Sequence, residues 1–386
     1  MSRGSAMVRL AALGLAAVGL GCEVAPSIAA GSGSSDDGRV DAATVATDAT
    51  TTTGGESTTG AEPAPDACAS ACVDLDHDPG RELCYACRCK HAFDDWLPSP
   101  EQLQCDRAEP IVTYEADLST PEGAWVPAGI GVTHCANPSI FTGSCAQHSR
   151  LGQLEYGDVM VRWICRDPHL DLDGRLLYHD VAVIGQNVRT GVACFWDDVD
   201  DVTHGDDLPP LDLEQATAAQ RAEFGAKFYV TEGENCTPCH DHDPFIYTPY
   251  LASTDWRSVA MDRGPYGLVG LDGHVRATGA RHLVSPRASP CTSCHRLGDG
   301  KTCTTLAADA LGAAKEPQYE AAVLDAMLPG SPRWWMAYWM PGAGAPITDE
   351  QEWHARFDDA RAHVLACCET PGENVGDCEW ADVPAR

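Results

Sequence analysis

Two pentapeptides, Cys236-Thr237-Pro238-Cys239-His240 and Cys291-Thr292-Ser293-Cys294-His295, repeat one pattern of residue types along the 386-residue chain. Two thiols separated by two residues can add to the two vinyl groups on one side of a porphyrin. The next residue then lies beneath the ring, where an imidazole nitrogen reaches the iron. A haem held by two thioether bonds cannot dissociate, which suits a protein exported away from the cytosolic supply. With 19 cysteines and 14 histidines in the chain, chance yields only about 0.03 such matches, and two far less often. The competing reading, disulfide cysteines beside a surface histidine, has to produce the pattern twice. The chemistry therefore implies two covalently bound c-type haems, one on Cys236, Cys239 and His240, the other on Cys291, Cys294 and His295.

Segments around the motifs extend the pattern. Gly225-Ala226-Lys227-Phe228-Tyr229-Val230 leads toward Cys236, and Trp339-Met340-Pro341-Gly342 is followed by Ile347-Thr348-Asp349-Glu350. Over roughly Leu213 to Cys368, these segments resemble the first helix, the sulfur-ligand loop and the final helix of class I cytochromes c. The resemblance implies an α-helical haem domain in which the Met of a Met-Pro pair binds iron opposite the histidine. It points to Met340 on the haem of His295. Met336, one turn earlier, competes with it, and simple packing among Trp334, Trp335, Tyr338 and Trp339 is the alternative for either.

Two departures separate the chain from tandem class I domains. The first motif lacks a Met-Pro pair and closing helix, and the second lacks a helix of its own before it. The two haems would then share one interlocked domain and lie close together. For the haem of His240 the opposite ligand is sought between the motifs, in the order His282, His274, Met261. His242 could reach the neighbouring haem instead. A haem left with an open position would bind peroxide or another small ligand.

The elements that must position these residues follow from composition and periodicity. Arg3 and Arg9 precede an apolar run, Leu10 to Leu20, with the length of a signal peptide and too short for a permanent span. Cys22 directly after it resembles the lipidated cysteine of bacterial lipoproteins; an ordinary signal cleaved near Ala30 is the alternative. Residues 22–66 are Ser, Thr, Gly, Asp and Ala, with little to bury, and read as a disordered tether. Six cysteines in 67–105 suggest a small disulfide-stapled module; zinc at Cys84, Cys87 and Cys89 is the weaker reading. Across 106–205, alternation in Asp158–Ile164, Asp180–Gly185 and Gly191–Trp196 predicts strands. From Leu213, helical spacing of Leu213, Ala216, Phe224 and Phe228 predicts a helix running into the first motif, and a second is expected over Asp349–Cys368. The expected fold class is multidomain: a disulfide-rich, mostly β N-terminal half and an α-helical, cytochrome c-like dihaem domain over 206–386.

The remaining composition bounds partners and compartment. A formal charge of −31 repels nucleic acid and would steer a basic redox partner, although acidity also serves solubility alone. Apart from Cys22 and the four motif cysteines, fourteen remain, enough for seven disulfides in an oxidising compartment. The functional expectation is an exported dihaem c-type cytochrome that transfers electrons between redox proteins, held to a membrane through lipid only. It would sit in the periplasm or at the cell surface, as an outer-membrane lipoprotein of a Gram-negative bacterium. The alternative is a dihaem oxidoreductase, peroxidase- or oxidase-like, with an open coordination site on one haem.

Overall fold

The computed structural model describes residues 68–117, 124–129, 132, 135, 139, 145–198, 208–229, 236–246, 249–251, 254, 265–292, 296–311 and 350–383. The signal region, Cys22, the expected tether, Cys294, His295, Met336 and Met340 lie outside the described residues.

Four strands form an antiparallel meander: β4 (Arg150–Tyr156), β5 (Val159–Leu170), β6 (Leu176–Asn187) and β7 (Val192–Asp198). Alternation sorts their side chains to two faces. On one face Val159, Val161, Trp163 and Cys165 of β5 meet Tyr85, Ala86, Cys89 and Phe93, which come from α1 (Asp78–Ala92) and its C-cap. On the other, Met160, Ile164 and Ile184 pack against Ile111, Leu151, Phe245, Tyr250 and Leu251. The sheet is therefore covered on both sides, and its second face carries the chain that follows the first motif.

Shorter strands complete this sheet. β1 (Glu109–Pro110) pairs with β4, while β2 (Tyr114–Asp117) and β3 (Ala124–Pro127) form a separate hairpin. Beyond β7, three strands come from the C-terminal half: β8 (Phe228–Tyr229) runs antiparallel to β7, β9 (Gly267–Val269) parallel to it, and β10 (Val275–Ala277) antiparallel to β9. A smaller layer holds Cys291 and Thr292, the described part of the second motif. There β11 (Arg281–Leu283) pairs with β12 (Trp380–Asp382), and α3 (Ser289–Thr292), α4 (Ala307–Ala310) and α5 (Glu350–Cys367) share a core of Leu283, Cys291, Leu297, Ala307, Val364 and Trp380.

This architecture corrects the expected fold class. No large helical cytochrome c-like domain is present among the described residues of the C-terminal half, and the division into a β half and a helical half does not hold. α2 (Ala218–Lys227) begins later than Leu213, because Thr217 and Gln220 close a reciprocal capping box. It also ends at Lys227, and Phe228 and Tyr229 turn into β8 rather than carrying a helix to Cys236. The backbone pairing offered by β7 overrides the helical spacing of those two aromatics. Only α5 matches an expected long helix, burying Phe357, Ala360, Val364 and Cys367 along one stripe.

Seven disulfides use all fourteen cysteines outside the motifs and Cys22: Cys68–Cys87, Cys72–Cys84, Cys89–Cys194, Cys105–Cys165, Cys135–Cys145, Cys303–Cys368 and Cys367–Cys378. Cys84, Cys87 and Cys89 are thereby unavailable as zinc thiolates. Two bonds staple the start of α1 internally. Cys89 and Cys105 instead reach β7 and β5, so this cysteine-rich segment is stapled upon itself by two bonds and bolted to the sheet by two more, not by three internal bonds as a separate module. Disulfides in this number place the chain in an oxidising, extracytoplasmic environment. No helix of the described residues is long and apolar enough to cross a membrane.

One contact makes stability depend on pH. Glu82 of α1 faces Gly225 of α2, where an added Cβ would lie 3.0 Å from both carboxylate oxygens. Burial, then the neighbouring Asp78, pushes its pKa up from 4.5 to about 7. A carboxyl whose pKa is higher folded than unfolded binds more protons in the native state between those values. Its contribution is therefore greatest below about pH 4.5 and is lost as pH rises through about 7. Glu82→Gln should flatten this part of a melting-temperature profile; an unaltered slope would assign the dependence to other groups.

Candidate functional site

The first motif closes into a single turn. The amide of His240 donates to the Cys236 carbonyl at 2.8 Å and that of Cys239 to the same oxygen at 3.2 Å. Residues three and four apart in such a turn share a face, so the two thiols and the imidazole lie near one another. Both cysteines are half-buried and in no disulfide, and burial raises the Cys239 pKa against the pull of Lys301. Cys236 packs beside Ala193, Phe195, Tyr266 and Leu268, against the β7 and β9 edge of the sheet.

His240 sits in a largely apolar setting. Its ring lies 5.5 Å from that of Phe195, and its carbonyl accepts from the Tyr266 hydroxyl at 3.0 Å. Desolvation lowers its pKa from 6.5 to about 4, with the backbone at Pro244 and Asp243 pulling the other way. The imidazole is therefore neutral at neutral pH, the form in which it binds metal. Nδ1 is buried with no hydrogen-bond partner among the described residues. Tyr266 is itself buried and its phenol is held far above the ordinary range, first by burial, so it stays a neutral donor.

The chain beyond the second motif grips the first. The amide of Lys301 donates to the Pro238 carbonyl at 2.7 Å. Asp241, buried, accepts from the Thr302 amide at 3.0 Å and from its hydroxyl at 2.9 Å. Burial raises the Asp241 pKa to about 7, opposed by those Thr302 donors. Arg296 pairs with Asp243. Gly298 and Gly300 lie so close to Asp241 that a side chain at either would collide with its carboxylate. Residues 236–243 and 296–302 thus form one interlocked unit.

The structure accordingly brings Cys236, Cys239 and His240 together and sets the second motif's flank against them. Cys291, which is in no disulfide, is fully buried in α3. His282 lies in β11, bridged through its backbone to Gly298, with its ring 5.5 Å from that of His242 and nearly perpendicular to it. It therefore sits over His242 and the chain beyond the second motif. His274 falls in the turn between β9 and β10, its amide donating to the Asp272 carboxylate at 3.1 Å. Asp241, Thr302, Tyr266 and Phe195 had no signal in the sequence, because each acts through a partner far along the chain. One further His/Cys group, His363 with Cys367 and Cys378, has suitable spacing for a metal, but its two sulfurs are bonded to each other. No protein-family model matches the chain, and no curated protein or solved structure matches it.

Proposed function

We propose that the chain is an exported dihaem c-type cytochrome that carries electrons between redox proteins. The observation that carries this reading is the partition of the cysteines. Every described cysteine outside the two pentapeptides is in a disulfide, while Cys236, Cys239 and Cys291 belong to none of the seven. In an oxidising compartment, cysteines two residues apart that stay outside the disulfide set suit another chemical use. The neutral His240 imidazole, with a buried nitrogen lacking a partner, fits the role of iron ligand.

Haem bound here would supply an iron that exchanges single electrons. The protein's own part is to hold it by the four thiols and to ligate it through His240 and His295. Phe195 and Tyr266 line the His240 side and limit water there, which tunes the potential along with the axial ligand. The surplus of acidic residues suits a basic partner. A lipid on Cys22, with residues 22–66 as spacer, would retain the protein at a membrane.

Absorption and electron paramagnetic resonance spectra of the intact protein test the carrier role. Both haems should be low-spin in both oxidation states, and neither should bind carbon monoxide. A high-spin haem that takes up carbon monoxide would replace the carrier with a dihaem oxidoreductase.

A further inference from the structure

We infer that His363, Cys367 and Cys378 form a redox-gated metal site, closed while the two sulfurs share a disulfide and open to zinc once a dithiol has reduced it. The inference is independent of the haems and uses residues that the electron-carrier reading leaves idle. His363 and Cys367 stand four residues apart on α5, so they share one face of the helix. The His363 Nε2 lies 3.6 Å from the Cys367 sulfur, and both side chains are buried. Cys378 completes the group: all three donor atoms lie within 4.8 Å of one another.

Those distances match zinc chemistry. With zinc–sulfur bonds of about 2.3 Å and zinc–nitrogen bonds of about 2.05 Å, a tetrahedral site sets nitrogen and sulfur about 3.6 Å apart. His363 and Cys367 already stand at that separation. Two thiolates on one zinc stand about 3.8 Å apart, whereas any disulfide holds its sulfurs at about 2.05 Å. Disulfide and metal therefore exclude each other, and reduction is the switch. Two thiolates and an imidazole suit zinc rather than calcium or magnesium, which take oxygen ligands. Three protein ligands leave a fourth position for water, on the side of the half-buried Cys378.

The fold holds both arms of the site without the covalent bond. One hydroxyl grips the chain on either side of Cys378: Ser285 Oγ donates to the Asp377 carbonyl at 3.2 Å and accepts from the Glu379 amide at 2.8 Å. Trp380 then opens β12, which pairs with β11, and the Arg281 guanidinium donates to its carbonyl at 2.7 Å. On the helix side, Cys303–Cys368 anchors the residue directly after Cys367. Opening Cys367–Cys378 therefore frees two sulfurs in place rather than a loop. Access comes from the Cys378 side, where Glu373 to Asp377 are exposed. A dithiol attacks the Cys378 sulfur, forms a mixed disulfide and releases the Cys367 thiolate; its second thiol then closes on the first and releases Cys378. Two electrons pass from the dithiol, which leaves as its own disulfide, and zinc takes the two thiolates in place of their protons.

The test uses the full chain, dithiothreitol and zinc alone. A dithiothreitol titration, followed by alkylation and peptide mapping, should open Cys367–Cys378 while Cys89–Cys194 is still intact. The reduced chain should then take up zinc, and zinc should protect Cys367 and Cys378 from alkylation. Native mass spectra of the reduced chain should show one zinc more than those of Cys367→Ser/Cys378→Ser, a difference that removes any contribution from the cysteines of the two pentapeptides. His363→Ala should weaken uptake at least about a hundredfold, more than the loss of a partner outside the coordination shell. Protection in the unaltered chain decides the matter even if a variant fails to fold. Alkylation of Cys367 and Cys378 that zinc does not change would overturn the inference. So would a bond that opens only as the whole chain unfolds, or zinc uptake that His363→Ala leaves unaltered.

Discussion

Two haem masses should remain on the full-length chain after denaturation in acid and organic solvent, when it is made in a host with haem-attachment machinery. Cys236, Cys239 and Cys291 stay outside the disulfides in a chain that otherwise pairs its described cysteines, and a thioether bond survives conditions that strip a ligated haem. Cys236→Ser/Cys239→Ser should remove one haem and about half of the Soret absorbance, and the matching change at Cys291 and Cys294 the other half. Peptide mapping would place each haem on its own pentapeptide. One mass, or none, on the native chain would contradict the cofactor assignment. The same spectra report on Cys22, since a lipidated N-terminal fragment carries acyl mass.

The largest stability effect is expected at Cys89–Cys194, which joins α1 to β7 across 105 residues. A cross-link stabilises largely by restricting the unfolded chain, and a loop of about 100 residues gives about 4.7 kcal/mol in that model. Cys105–Cys165 is nested inside and already shortens the loop by 60 residues, which brings the expected loss to about 4 kcal/mol. Cys89→Ala/Cys194→Ala should therefore move the denaturant midpoint far more than Cys135→Ala/Cys145→Ala. The latter closes only 10 residues and is worth nearer 2–3 kcal/mol. Equal shifts for the two double variants would show that the unfolded state is already compact around α1 and the sheet. The bond also sets the site: Tyr85, one turn before Cys89, accepts the Phe195 amide at 2.7 Å, and Phe195 faces His240. Loosening α1 should thus be felt in the spectrum of the first haem.

Chemistry carried by adjacent residues was legible in the sequence. The pentapeptides declare themselves, and setting them aside with Cys22 left the fourteen cysteines that form seven disulfides. The strands around Val161, Val183 and Phe195 were legible because alternation is a local signature of a sheet with sorted faces. α5 showed its buried stripe for the same reason. The resemblance to class I cytochromes c misled about the fold because its matches are short. An aromatic before a motif or a methionine before a proline says nothing of the chain between them. There Gly267–Val269 and Val275–Ala277 form a short hairpin on the main sheet.

What residues dictate through near neighbours was thus set by the amino-acid sequence alone: two Cys-x-x-Cys-His pentapeptides, an oxidising environment, the meander's strands and the closing helix. Only the tertiary structure decided which cysteine meets which, since sequence spacing carries no information about pairing across 105 residues. It also decided that α2 gives way to β8, because an open position beside β7 supplied backbone partners that outweighed helical spacing. Most of all, it decided the setting of the motifs. Asp241 and Thr302 are 61 residues apart, and their buried hydrogen bonds, with Arg296 on Asp243, lock the two pentapeptides' flanks together. A buried carboxylate must find its donors wherever the fold brings them, and that placement is a property of the packed chain rather than of any segment.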